Sequence, residues 1–339
     1  MYAENKLKGI IMDTKYRILN SEGSITDFFL CPTGFLYNEF VTNFGCTVAD
    51  EVFYSLYKKN RSSSIYRQII PINILTDPST KKYVFKLYDN RQIETVCIKR
   101  RTGTTVCLST QSGCSVRCIF CESGKNGLHR NLSASEIIQQ FLFVNENVNR
   151  IVFMGIGEPL NNYEEVLKAI HILRDRKGLD FPTDGITIST VGPLPALHRL
   201  KQESLKIQLT LSLHATDQVT RNELIPGMVN FSINETISEA LSWQRKHNRK
   251  LTIAYLLLPG INDSERDSQR LVQWFGHKNV IINLMSYNGP KSLKLVTANN
   301  NQLHKFMEIL KNGFVDAAIR KANGGKINAA CGQLIAKEI

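Results

Sequence analysis

No stretch of the 339-residue chain reaches the ~18 uninterrupted apolar residues that a membrane-spanning helix needs. The opening residues Met1-Tyr2-Ala3-Glu4-Asn5-Lys6 have no apolar signal core behind them. A transmembrane protein and a secreted precursor are both unexpected. Internal repeats and low-complexity tracts are missing as well. Acidic residues are in deficit: 30 Asp and Glu face 42 Lys and Arg, for a net charge of +12 and a pI near 9.3. Such a surplus fits a polyanionic partner, most often nucleic acid, although an ordinary basic enzyme can have the same balance. The basic residues form short clusters at Lys58-Lys59-Asn60-Arg61, Lys99-Arg100-Arg101, Arg174 to Lys177 and Arg245 to Lys250, with few acidic clusters to match. That pattern favours phosphate contact.

What is present is a globular composition, 42% hydrophobic and 21% charged, sufficient to bury a core. The length fits two domains, or one barrel with an appendage. The chain has 8 cysteines. In a large chain without a signal core they point to a reducing compartment, the cytoplasm, more than to a disulfide framework. Three of them, Cys114, Cys118 and Cys121, lie within eight consecutive residues. Cys31, Cys46 and Cys97 read as small buried hydrophobes.

From about Ile93 onward, β-rich runs alternate with amphipathic helical runs. Strands are expected at Thr104–Ser109, Arg150–Met154, Gly185–Thr190, Lys206–Leu213, Lys250–Leu258 and Asn279–Ser286. Ser133-Ala134-Ser135-Glu136 reads as a capping box that opens a helix through about Asn147. Further helices are expected at Asn162–Arg176, Ile233–His247, Ser264–Gly276 and Asn300–Asn312. Six strands alternating with helices imply parallel units, too few for a closed eight-stranded barrel. The expected fold is α/β: a partial (β/α)6 barrel over residues 91–339, whose reactive groups sit at the C-terminal ends of the strands. Residues 1–90, with irregular punctuation around Ser21-Glu22-Gly23 and Asp77-Pro78-Ser79-Thr80, read as a small accessory domain. A β-hairpin of Lys81–Leu87 and Gln92–Lys99 leads from it into the barrel.

Cys114-Ser-Val-Arg-Cys118-Ile-Phe-Cys121 follows a strand on a glycine-containing loop. Three thiolates on one short turn suit a 4Fe-4S cluster with one iron left open. Cys107 upstream and His129 downstream leave a four-coordinate zinc site open on residue types alone. Phe120 reads as packing. After the next strand comes Gly155-Ile156-Gly157-Glu158-Pro159-Leu160, where glycines allow close backbone approach and Glu158 can accept a bond from an ammonium group. Ser189, Ser212, His214 and Asn288 stand at further strand ends, each a polar group at the expected mouth.

The Cys-x3-Cys-x2-Cys loop followed by Gly157-Glu158 resembles the signature of radical S-adenosylmethionine (SAM) enzymes. The wider resemblance is to the RlmN/Cfr family of RNA methyltransferases, over roughly residue 82 to the C-terminus. It rests on Lys82-Tyr-Val-Phe-Lys-Leu87, Ile93-Glu94-Thr-Val96, Cys107-Leu-Ser-Thr-Gln-Ser-Gly-Cys114, Gly127-Leu-His-Arg-Asn-Leu132, Gly157-Glu158-Pro159-Leu160, Ser212-Leu-His-Ala215 and Asn328-Ala-Ala-Cys331-Gly-Gln-Leu334. It implies a 4Fe-4S cluster on Cys114, Cys118 and Cys121, with SAM on its open iron and Gly157, Glu158, Ser189, Ser212, His214 and Asn288 around SAM. It also implies that Cys331, in a C-terminal extension, takes a methyl from one SAM. The radical from a second SAM abstracts hydrogen from that S-methyl group, and the carbon radical adds to adenine. Cys107 then attacks the Cys331 sulfur, a disulfide forms, and the methylated base leaves. Glu94 matches the residue placed to assist the ring proton's departure.

The target implied is C2 of an adenosine in 23S rRNA, with tRNA as a second substrate and RNA contacts coming partly from the accessory domain. The family also implies a flavodoxin-type electron donor, and a monomer with no membrane partner is expected. Competing readings are methylation of C8 of the same base and an RNA- or ribosome-binding relative without catalysis. Pro159 after Glu158 favours the C2 branch, because the C8 branch tends to have Ala there. Lys326, Ile156, Glu122 and Leu224-Ile-Pro-Gly-Met228 depart from the family pattern and bear on target recognition.

Overall fold

A computed structural model describes residues 32–54, 56–57, 69–144, 146–289, 295–320 and 323–335. Cys31, the Ser21-Glu22-Gly23 punctuation and the Lys58–Arg61 cluster lie outside the described residues. Two helices, α1 (Tyr37–Phe44) and α2 (Cys46–Tyr54), precede an antiparallel meander of β1 (Ile69–Asp77), β2 (Thr80–Leu87), β3 (Gln92–Arg100) and β4 (Gly103–Cys107). The short pair β5 (Gln111–Gly113) and β6 (Leu128–Asn131) forms its own sheet. Thereafter the chain alternates: α3 (Ala134–Val144), β7 (Val148–Phe153), α4 (Tyr163–Arg174), β8 (Ile186–Thr190), α5 (Leu194–Gln202), β9 (Gln208–Ser212), α6 (Gln218–Leu224), α7 (Ile233–His247), β10 (Leu251–Leu257), α8 (Glu265–Phe275), β11 (Val280–Ser286), α9 (Asn300–Asn312) and β12 (Asp316–Ile319).

One 10-stranded sheet runs in the order β1-β2-β3-β4-β7-β8-β9-β10-β11-β12. From β4 to β12 every neighbouring pair is parallel. Among the described residues β1 and β12 do not pair, so the barrel is open, as expected. All six expected parallel strands form, and β12 adds an unexpected seventh. It is four residues long and only half-buried away from Asp316, so its apolar signal is weak. The residue 90/91 boundary falls in the turn between β2 and β3, which pair along their lengths.

Local chemistry sets the helix starts. Ser133 and Glu136 exchange the expected capping bonds, N–H to Oε2 at 2.9 Å and N–H to Oγ at 3.2 Å. Helix α8 opens on Ser264 with Asp267, and α9 on Asn299 with Gln302, in the same way. Period-two alternation divides each barrel strand. Ile186 and Ile188, Leu209 and Leu211, and Ile253, Tyr255 and Leu257 enter the core, which includes residues of the surrounding helices. Ser189, Ala254 and Leu256 fall on the other face and line a cavity at the strands' C-terminal ends.

The first two β/α loops meet backbone to backbone there. A Cβ on Gly155 would stand 2.7 Å from the Leu108 carbonyl group, and the Gly155 N–H bonds Leu108 O at 3.0 Å. Gly155→Ala should therefore force the loops apart, costing about 1–3 kcal/mol as an overpacked core substitution does. A lowered thermal midpoint checks this, and an unchanged one would contradict the close approach.

Candidate active site

The cavity brings together every site residue expected from the sequence except Glu94. Its first wall is the loop from Cys114 to Cys121. Gly113 (φ +80°) turns the chain into it, and the Cys114 N–H donates to Gly127 O at 2.9 Å. Arg117 takes a left-handed conformation (φ +54°) that tightens the turn between the first two thiols. The loop is backed by Leu224–Met228: the Ile119 N–H donates to Leu224 O at 3.1 Å, and the Gly227 N–H to Val116 O at 2.8 Å. A side chain at Gly227 would meet Val116 Cα at 2.5 Å. The segment that departs from the family pattern thus supports the cysteine loop.

Burial dominates the electrostatics of this wall. It pushes the Cys114 thiol up to about 12, Cys118 well above the usual thiol range, and Cys121 upward despite a bond from Ser123. Next to Cys118 lies Arg221, 0% exposed, which no motif in the sequence marks. Its Nη1 donates to Leu213 O and its Nη2 to Val191 O, both at 2.7 Å, while Nε has no partner. No carboxylate pairs with it among the described residues. Burial lowers its pKa to about 10. A buried guanidinium of this kind calls for negative charge nearby, which three thiolates would supply if they held a metal. Nothing in the sequence distinguished Arg221 from other helical arginines.

The second wall carries Glu158, 4% exposed. It accepts from Thr190 Oγ1 (2.6 Å), the Val191 N–H (3.0 Å) and the Leu160 N–H (3.0 Å). Burial nevertheless raises its pKa to about 7, against those three bonds. Ser189 and Ser212 at the ends of β8 and β9 stand Oγ to Oγ at 3.5 Å. His214 accepts the Leu256 N–H on Nδ1 at 3.0 Å, and burial lowers its pKa to about 3. It is therefore a neutral imidazole with its proton on Nε2, and not an acid–base group at neutral pH. Phe120 packs edge-on against it, ring centroids 4.9 Å apart. Asn288 accepts the Gln333 side-chain amide on its carbonyl.

The third wall holds Cys107, at the end of β4, and Cys331, on the segment 323–335. Cys331 is exposed and Cys107 buried, both as free thiols. Burial pushes Cys107 up to about 12. Arg320 lies between them electrostatically, its own pKa raised chiefly by Cys331, with Nη1 3.7 Å from Met154 Sδ. Glu94 is not among the residues that line the cavity, although Val96 and Ile98, on the same face of β3, are. It pairs with Lys82 at 2.9 Å and accepts the Ile335 N–H at 3.2 Å. His129 is not in the lining either, so it does not complete a zinc site with the three cysteines. Cys97 is buried as expected, but Cys46 is exposed. Ile156 is fully buried, beside Cys107, and Lys326 is exposed. The basic clusters at Lys99–Arg101 and Arg245–Lys250 adjoin the N-terminal ends of β4 and β10, the sheet edge opposite the cavity. Among the described residues, Arg117 and Lys125 by the cysteine loop are exposed cations, as is Lys326 on the segment that carries Cys331.

A profile of the radical SAM superfamily matches residues 108–272, from the end of β4 through most of α8. A probable dual-specificity RNA methyltransferase RlmN of Dictyoglomus turgidum is 34% identical over 311 residues, 84% of this chain and 89% of the relative. This chain belongs to the RlmN/Cfr family of radical SAM methyltransferases. A probable RNA methyltransferase of Rhodopseudomonas palustris is 48% identical over 260 residues, 77% of this chain and 72% of that protein. The crystal structure of a radical SAM methyltransferase from Sphaerobacter thermophilus superposes with a TM-score of 0.84 at 28% identity, covering 90% of this chain and 99% of that one. As an RlmN/Cfr-family protein, the chain uses a 4Fe-4S cluster and SAM. The residues present fit them: three half-buried thiols beside an uncompensated buried cation, and a buried carboxylate lacking a cation.

The contrast between the two remaining cysteines of this RlmN/Cfr-family site is directly measurable. A thiol at about 12 is ionised to only about one part in 10⁴ at pH 8. Brief anaerobic iodoacetamide treatment of the cluster-loaded protein should alkylate Cys331 and Cys46 and leave Cys107 free. Peptide mass spectrometry reads the outcome, and rapid alkylation of Cys107 would contradict its burial.

Proposed function

We propose that this chain methylates C2 of an adenosine in 23S rRNA, with tRNA as a second substrate, through a methyl carried on Cys331. The observation that carries the reading is the meeting of Cys107 and Cys331 with the cysteine loop in one cavity. Relatives named as dual-specificity RNA methyltransferases support an RNA substrate, and Pro159 after Glu158 supports C2 over C8. The reaction would run in the reducing cytoplasm with a flavodoxin-type donor.

Cys114, Cys118 and Cys121 would hold the cluster, and Arg221 would balance its thiolates. Bound cluster and SAM supply the methyl group and one-electron chemistry. Glu158 would bind the ammonium of SAM; Gly157, Ser189, Ser212, neutral His214 and Asn288 would shape the rest of its berth. The segment 323–335 covers the mouth and keeps water out. Exposed Cys331 is the accessible nucleophile that takes and carries the methyl. Cys107 stays protonated through burial, which suits a thiol that must wait until the new carbon–carbon bond exists before attacking the Cys331 sulfur. Glu94 would accept the ring proton.

Cells expressing Cys107→Ala should contain an RNA–protein adduct through Cys331 that survives denaturation and disappears on nuclease treatment. Cys331→Ala and the double variant should contain none. Digests of rRNA and tRNA from cells with and without the gene should differ in 2-methyladenosine. A gain of 8-methyladenosine would select the C8 reading, and no difference would leave a non-catalytic RNA binder.

Glu158 sets the pH dependence of SAM binding. Its carboxyl is protonated below about 7 and charged above, and only the charged form attracts an ammonium group. Affinity for SAM should fall about tenfold per pH unit below 7 and level off above it. Glu158→Gln should abolish that slope, as read by equilibrium binding on the cluster-loaded protein.

RNA affinity should fall steeply with salt, because phosphate contacts release counterions. Lys125→Ala should lower the slope of log affinity against log salt by about 1. Neutralising Arg245 and Lys246 on the opposite edge should change it little.

A further inference from the structure

The segment that carries Cys331 is tied down on three sides. Toward the cysteine loop, the Glu122 N–H donates to Gly332 O (2.8 Å) and Ser123 Oγ to Leu334 O (2.7 Å). Toward the end of β11, the Gln333 side chain donates to Asn288 O at 2.5 Å. On the third side stand Lys82 of β2 and Glu94 of β3, diagonal neighbours on the paired strands, since Lys82 opposes Val96 and Val84 opposes Glu94. Their side chains are 6% and 7% exposed, and Nζ and Oε1 are 2.9 Å apart. Lys82 Nζ also donates to Asn328 O at 3.1 Å, while Glu94 Oε2 accepts the Ile335 N–H at 3.2 Å. A single buried ion pair therefore grips the chain on both sides of Cys331.

We propose that Lys82 is a positioning residue of this site: with Glu94 it forms a latch that fixes the Cys331 segment over the cavity and frees Glu94 only when the segment lifts. A buried ion pair is a weak source of stability, because desolvation offsets the attraction. Its consequence here is positional. With the segment down, both Glu94 oxygens are engaged and the carboxylate is outside the cavity lining. Lifting the segment breaks the Ile335 bond and leaves Oε2 open to accept a proton. Cys331 and Glu94 thus come into play through one movement. The link to proton acceptance rests on the function proposed above, whereas the latch rests on the contacts alone.

The test is residue-resolved hydrogen exchange on the cluster-loaded full chain without RNA. The Ile335 amide is the group that occupies Glu94 Oε2, so its exchange rate reads how often that oxygen is free. Lys82→Met should speed exchange at Ala329 and Ile335 at least tenfold, while β2, β3 and β4 keep their wild-type rates. Lys82→Met with Glu94→Gln removes both charges and strands neither, so it guards against simple misfolding; it should also speed exchange at Ala329. Lys82→Arg, which can reach both partners, should restore slow exchange. Unchanged exchange in residues 324–335 of both Met variants would overturn the latch. Equal acceleration throughout the sheet would also overturn it, since Lys82 would then be a core residue only. Because no RNA is used, this outcome is independent of whether the chain methylates adenosine.

Discussion

Burial without neutralisation is the constraint on which the site depends. Cys114, Cys118, Cys121 and Glu158 are each pushed toward their protonated forms by loss of water, and Arg221 is pushed toward losing its proton. By themselves these groups oppose one another's ordinary charge states. A metal held by the three thiolates would release their protons and give Arg221 its missing negative charge. A cationic ligand would do the same for Glu158.

The fold makes this possible by putting backbone, not side chains, at the tightest places. Gly155 lets the second β/α loop touch Leu108, and Gly227 lets the helix α6 exit lie directly under Val116. Arg221 then reaches from α6 to the carbonyls of Leu213 and Val191, joining the cysteine loop's support to the ends of β8 and β9. The antiparallel strands on the other side contribute differently. Cys107 comes from β4, where the meander becomes parallel, and β2 and β3 hold the Cys331 segment. On the function proposed above, cluster support and methyl handling would fall on opposite sides of one cavity.

Much of the fold was legible because its signals are local. Strands β4 and β7 to β11 show β-rich runs, whereas the short β5 and β6 do not, and the capping residues Ser133, Ser264 and Asn299 open helices α3, α8 and α9. Helices α5 and α6 were not legible: α5 begins among prolines, and α6 is short and polar, held by an Asp217 cap and by the burial of Arg221. Strand β1 escaped for another reason. Its Ile70, Ile72 and Ile74 are exposed on an edge, where the pattern does not mark a buried face.

The sequence alone marked out the candidate reacting groups, because three cysteines at fixed spacing and a Gly-x-Gly-Glu turn are short-range features that survive any packing. It also determined that the chain is basic. Only the tertiary structure decided which basic residues lie near the mouth, because a cluster in sequence carries no information about which end of a strand it adjoins. Only the tertiary structure put Arg221 beside Cys118, set the protonation of Cys107 and Glu158, and tied Glu94 to Lys82 and Ile335. Each of these depends on what is buried next to what, across separations such as that between Glu94 and Ile335, and a linear pattern does not encode a dielectric environment.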